Sequence, residues 1–240
     1  MRSIALWSGP RTLSTAFMYF FAHRGDFKVL DEPFFGVFLK ESGRIRPSRD
    51  EALAAMDLDP NSVHQFIEKE EKLAKALFLK NMANHWPMVN QKIAVHWPAI
   101  ILFRDPRFVF HSYHRQMESF DLVDLGYALQ VEILEQYQKL GQKVYLQCSE
   151  ELALQPEREL TKLCKFFDLT FNQEMLSWPK GALKEDGIWA KYWYQSVHQS
   201  EGFQAKAAKA PPPILERDRD LYQECLPYYQ TLKKAYDEQV

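Results

Sequence analysis

The chain is short of glycine, with nine in 240 residues, and has three cysteines, Cys148, Cys164 and Cys225. The cysteines show no paired spacing and their number is odd, which argues against a disulfide framework and makes them reduced thiols in a core. Neither sign of charge dominates. With 30 basic and 32 acidic residues the formal charge is −2, so there is no general attraction to nucleic acid or to an anionic membrane surface. Any anion site must therefore be a local cluster of basic groups. No apolar run is of spanning length, and the first is cut at Gly9-Pro10-Arg11-Thr12 without a cleavage pattern. These absences describe a soluble, cytoplasmic protein. Its length suits a single α/β domain over residues 1–240.

What is present is a strand–helix alternation. Residues 3–8 and 99–103 are continuous apolar runs, as in parallel strands covered on both faces. Shorter strands are expected at 27–30, 77–81 and 143–147. Helices are expected at 14–23, 61–76, from Pro106, at 124–140, from Ser149, from Pro156 and from about Leu215. The expectation is a three-layer α/β fold, a mainly parallel sheet flanked by helices. Residues 40–60, broken by Gly43, Pro47 and Pro60, read as a mobile loop or short helices. Residues 178–213, with Trp178, Trp189, Tyr192, Trp193 and Tyr194, read as irregular. Both are expected to lie over an opening as lid or substrate segments.

In such a sheet ligands sit beyond the carboxyl ends of the strands. Four polar elements fall there: the loop Gly9-Pro10-Arg11-Thr12-Leu13-Ser14-Thr15, then Glu32, Lys80 and Arg104. A strand turning straight into a helix aims backbone N–H groups and a helix dipole at one spot, and Arg11 adds a planar fork of donors suited to phosphate. The loop is not the ATP- or GTP-binding G-x-x-x-x-G-K-[ST] type. Leu13 stands near the place of the second glycine, and no lysine precedes Ser14 or Thr15. No spacing suggests a metal site.

The Gly9–Thr15 loop resembles the 5′-phosphosulfate loop of P-loop sulfotransferases. Phe103-Arg104-Asp105-Pro106 through His111-Ser112 resembles their 3′-phosphate signature, and residues 145–171 are similar to a downstream segment of that family. Asp31-Glu32-Pro33-Phe34 looks like the acidic element that follows the second strand in some members. The resemblance implies a P-loop fold, 3′-phosphoadenosine-5′-phosphosulfate (PAPS) as donor, adenosine 3′,5′-bisphosphate as product, a small-molecule hydroxyl or amine as acceptor, and no metal. It further implies that Arg11, the loop amides, Ser14 and Thr15 hold the 5′-phosphosulfate and that Arg104 and Ser112 grip the 3′-phosphate. Cytosolic members place a histidine two residues after a strand-end lysine. Here that position is Met82, so Glu32 becomes the candidate base, with Asp31 as a rival and a pairing of Glu32 with Arg11 as the alternative. Lys80 is a candidate contact to the transferring group, or else structural or solvated. Lys191 is a candidate phosphate contact, and His85 and His111 lie nearest the inferred site. No Arg-Lys-Gly element stands near the C-terminus. A nucleotide-dependent kinase and a non-catalytic nucleotide-binding protein are the competing readings.

Overall fold

Alternate residues of the apolar runs feed two separate cores. Ile4 and Leu6 pack with Phe17, Phe20 and Phe21 on one face, while Ala5 and Trp7 pack with Trp86, Ile133 and Tyr137 on the other. This is the burial expected of strands covered on both sides. The computed structural model describes residues 3–74 and 76–239. Its strands are β1 (Ile4–Ser8), β2 (Lys28–Asp31), β3 (Leu77–Met82), β4 (Ala99–Phe103) and β5 (Val144–Cys148). All neighbours pair in parallel, in the order β2-β3-β1-β4-β5.

The Ser14–His23 helix follows β1 directly and covers the Ile4/Leu6 face, with Phe21 stacked on Phe78 of β3 at 3.9 Å. Leaving β3, the chain covers the opposite face through Trp86, Val89 and Trp97 before reaching β4 on the other side of β1. The connections thus diverge beside β1 and open a crevice at the carboxyl ends of β1, β3 and β4, as at a topological switch point. The Tyr127–Lys139 and Arg219–Gln239 helices close the second face with Ile133, Tyr137, Leu232 and Tyr236.

Several boundaries differ from expectation. The helix expected over 124–140 is divided by Gly126, at φ 75°, into Leu122–Leu125 and Tyr127–Lys139. A Cβ at Gly126 would lie 3.1 Å from the Ala83 Cβ, so close packing favours glycine in addition to the left-handed backbone. Residues 40–60 contain short helices: Phe35–Ser42 runs into them, and Arg49–Ala55 follows. The Pro60–Leu73 helix, capped by Asp59 through its bond from the Ser62 N–H (2.8 Å), ends before the expected limit. Lys75, inside that expected span, lies outside the described residues. The last helix begins at Arg219, after a tight turn over Glu216–Asp218.

Candidate active site

The loop after β1 is fixed from several sides. A Cβ on Gly9 would come within 3.0 Å of the Leu125 carbonyl oxygen, which leaves little room for a larger residue. Thr12 Oγ1 donates to Gly9 O at 2.8 Å, and Ser149 Oγ lies 2.8 Å from both Thr12 O and Phe103 O. Gln130 Nε2 donates to Leu102 O at 2.8 Å, tying down the adjacent end of β4. Arg11 and Leu13 both adopt left-handed backbone, at φ 60° and 71°, with Leu13 at the N-cap of the Ser14–His23 helix. Leucine thus occupies a glycine-like conformation, a local cost of about 1–2 kcal/mol. Strain of this kind is retained where surrounding bonds over-determine the backbone, and it concentrates at functional sites.

Two guanidiniums meet at this loop. Arg11 Nε donates to Ser112 Oγ at 2.9 Å, and Arg104 Nη1 donates to the Arg11 carbonyl at 2.8 Å. Burial, followed by the repulsion of Arg104, lowers the pKa of Arg11; burial lowers that of Arg104 against the pull of Glu150. Among the described residues, Arg104 Nε is buried without a hydrogen-bond partner, and Glu150 Oε1 is 3.7 Å away. Asp105 is not the ion-pair partner of Arg104. It caps the Pro106–Tyr113 helix and pairs with Arg107 at 2.6 Å. Two partly desolvated cations beside a helix N-terminus make a site for a polyanion.

The other half is built around Lys80. Asp31 and Lys80 are register partners on β2 and β3, so their side chains leave the same face of the sheet. Lys80 Nζ donates to Asp31 Oδ1 (2.8 Å), Glu32 Oε1 (2.5 Å) and the Tyr194 hydroxyl oxygen (2.7 Å). Its side chain is 1% exposed. Burial opposes the charge, but Asp31 and Glu32 outweigh it and hold the ammonium well above the usual lysine range. All three N–H donors are engaged, so Lys80 is not solvated, and as placed it has none left for a transferring group. Its place is to hold carboxylates.

Asp31, also 1% exposed, receives Lys80, the Gly187 N–H (2.9 Å) and the Tyr194 O–H (2.9 Å to Oδ2). Burial pushes its pKa up. That sequestration removes it as the rival base. Glu32 pairs with Lys80 and not with Arg11, which corrects the alternative reading of that carboxylate. Its backbone is left-handed at φ 46°, with its N–H bonded to Lys80 O at 2.8 Å. Its second oxygen, Oε2, is 3.8 Å from His85 Nε2. Burial and then the Lys80 charge push the His85 pKa down to about 3. The His85 ring resonances should therefore keep neutral-imidazole positions throughout the neutral and mildly acidic range, where an exposed histidine would titrate near 6.5. Proton-coupled NMR of the ring tests this.

One cavity of about 580 Å³ joins the two halves. It is lined by Pro10 to Ala16, Arg104 and Ser112 on the cationic side and by Glu32, Lys80, Phe35 and Phe38 on the other. Gly9 supports the loop from outside the lining. Arg46, from the 40–60 stretch, reaches the wall and is ion-paired to Asp124. Trp178, Trp189, Trp193 and Tyr194, from the 178–213 stretch, also line it. Lys191 does not belong here. It is not among the lining residues and pairs with exposed Glu51 at 2.7 Å, so the structure does not bring it to the cavity. His85 lines the cavity, whereas His111 is exposed and lies 3.2 Å from Arg115. Sequence reasoning placed Tyr194 only in an aromatic lid stretch and Ser149 only at a helix start, and gave no site role to Asp124 or Arg46. An Asp121-x-x-Asp124 capping pattern was a local signal for the third. Among the described residues no group of three or more His, Cys, Asp or Glu side chains could hold a metal ion, and no helix is long and apolar enough to cross a membrane.

A five-stranded parallel sheet with a cationic strand–loop–helix corner is a P-loop-type scaffold, and comparison with known proteins specifies the family. Residues 1–236 match the family described as "Sulfotransferase domain", and the chain belongs to that family. The sulfotransferase from Alicyclobacillus acidocaldarius shares the fold with a TM-score of 0.59 and 10% identity, covering 99% of this chain and 96% of that one. The sulfotransferase domain from the curacin biosynthetic pathway gives a TM-score of 0.56 and 15% identity over 93% and 97%. In sequence, the chain is 34% identical over 234 residues to branched-chain-amino-acid aminotransferase-like protein 2 of Arabidopsis thaliana. That match takes in 97% of this chain but 42% of the plant protein, so the chain spans about two-fifths of that relative.

Proposed function

We propose that the chain transfers a sulfuryl group from PAPS to a hydroxyl or amine of a small-molecule acceptor. The observation that carries this reading is the meeting, in one cavity, of the Arg11–Arg104 corner and the Glu32 carboxylate. The donor supplies the sulfuryl group and a bisphosphate leaving group. Arg11, the loop amides, Ser14 and Thr15 would hold its 5′ end. Arg104 and Ser112 would hold the 3′-phosphate, the group that separates this donor from ATP. The Arg11–Ser112 bond favours that division because it fastens the two phosphate-binding elements to each other.

Fixed guanidiniums stabilise the negative charge that grows on the leaving phosphate oxygen without having to reorganise. At the acceptor end, Glu32 Oε2 is the carboxylate oxygen not bound by Lys80, and it would accept the acceptor's proton. Phe35 and Phe38 wall that end with apolar surface, which suits an acceptor with a flat or apolar part. Calorimetric titration with adenosine 3′,5′-bisphosphate, with Mg·ATP as comparison, tests the donor assignment. The bisphosphate should bind, and Arg104→Ala should weaken it roughly 10- to 150-fold, as expected for one charge-assisted bond of about 1.5–3 kcal/mol. Binding of ATP alone would sink the assignment. Screening acceptor pools with labelled donor then identifies the acceptor.

A further inference from the structure

Three contacts run from the stretch 187–194 to the far side of the Lys80 ion pair. Gly187 N–H and Tyr194 O–H both donate to Asp31 Oδ2 at 2.9 Å, and the Tyr194 oxygen accepts from Lys80 at 2.7 Å. Trp189 Nε1 donates to that same oxygen at 3.0 Å. Both acceptor sites of the hydroxyl are thereby filled and its one proton is directed at Asp31. The charges explain why this matters. One ammonium faces two carboxylates, and each would draw it away from the other. Two extra donors from the 187–194 stretch satisfy Asp31, and the Tyr194 oxygen gives the ammonium a third fixed anchor. Lys80 can then stay on Glu32 Oε1 and leave Oε2 free.

We propose that Tyr194 is a positioning residue for Glu32, holding Lys80 between the two carboxylates so that Glu32 presents Oε2 to the acceptor. This role rests on the sulfuryl-transfer reading. In that step the acceptor oxygen or nitrogen forms its bond to sulfur, and the bond from sulfur to the donor's phosphate oxygen breaks. The electron pair of the broken bond leaves on the bisphosphate, and the acceptor's proton passes to Glu32 Oε2. Tyr194 acts through its hydroxyl contacts with Lys80 and Asp31.

Tyr194→Phe in the full chain keeps the ring and removes the hydroxyl. Four quantities are compared with wild type: kcat and KM for the acceptor found in the pool screen, the Kd for adenosine 3′,5′-bisphosphate, and the solvent-exchange rate of the Lys80 ammonium by NMR. We expect kcat to fall about tenfold, the scale of one lost hydrogen bond to a charged group, with bisphosphate affinity within about twofold of wild type. Lys80 exchange should quicken because one of its three N–H groups is released. A purely structural tyrosine would lower stability without this split between kcat and donor-site affinity. Unchanged Lys80 exchange, or unchanged kcat with faster exchange, overturns the positioning role while leaving the transfer reading intact. A wild-type chain that transfers nothing overturns the transfer reading, and the positioning role with it.

Discussion

Glu32→Gln should lower kcat for sulfuryl transfer by about 10²–10⁴, the usual contribution of a positioned general base. Glutamine preserves the size of the side chain and can still accept the Lys80 N–H through its carbonyl oxygen. What it loses is the ability to take a proton at the acceptor end. The cationic half is built from Arg11, Arg104 and Ser112, none of which bonds Glu32. Affinity for adenosine 3′,5′-bisphosphate should therefore stay near wild type. Single-turnover transfer from labelled donor separates the two effects. Wild-type kcat in the variant would mean that another group takes the proton. Asp31→Asn serves as the comparison. Asp31 is sequestered by three donors, so that substitution should appear chiefly as lost stability and only weakly as a rate defect through Lys80.

Lys80→Met should destabilise the fold by about 3–5 kcal/mol, because removing one partner of a buried ion pair strands the other. Here it strands two carboxylates under 1% and 9% exposed side chains. For a chain of this length such a loss lowers Tm by about 6–20 °C, as a calorimetric scan would show. The pH dependence gives an independent check. Burial already raises the pKa of Asp31, and removal of Lys80 takes away the charge that opposes this rise. A carboxyl with a folded-state pKa above its unfolded value binds its proton more tightly when folded, so falling pH favours the folded state. The stability gap between variant and wild type should therefore narrow as pH falls through the raised Asp31 pKa. A gap that widens on acidification would mean that Lys80 is not the partner of these carboxylates.

The sequence carried the layers of this fold better than its pairings. β1, β4 and the Ser14–His23 helix follow from local signals: unbroken apolar runs, Gly9-Pro10, and a helix apolar nearly all round. The parallel sheet follows from the alternation of those elements. The Phe35–Ser42 helix was not anticipated, since its buried Phe35, Val37, Phe38 and Leu39 form a short run whose two cores become evident only after folding. The break at Gly126 depends on Ala83, more than forty positions earlier. For the site, the placing of the Arg11 loop and of Arg104 at one cavity was legible because each lies at a strand end within a local motif. The fate of Lys80 was not. Its partner across the sheet is set by parallel register, and its third anchor comes from an aromatic cluster that looked like packing. Lys191 shows the converse error, a basic residue near the right segment whose backbone directs it to Glu51.

The order of these residues along the chain also bears on when, during synthesis, the cavity is complete. The guanidinium corner takes fixing contacts from as far along as Ser149, and the Glu32–Lys80 pair takes its last contact from Tyr194. Because translation proceeds from the N-terminus and a domain folds as a unit, both halves of the cavity wait on residues made well after Arg11, Glu32 and Lys80 themselves. A chain cut before Tyr194 would thus carry every basic residue of its corner and still leave the Lys80 ion pair without its third anchor.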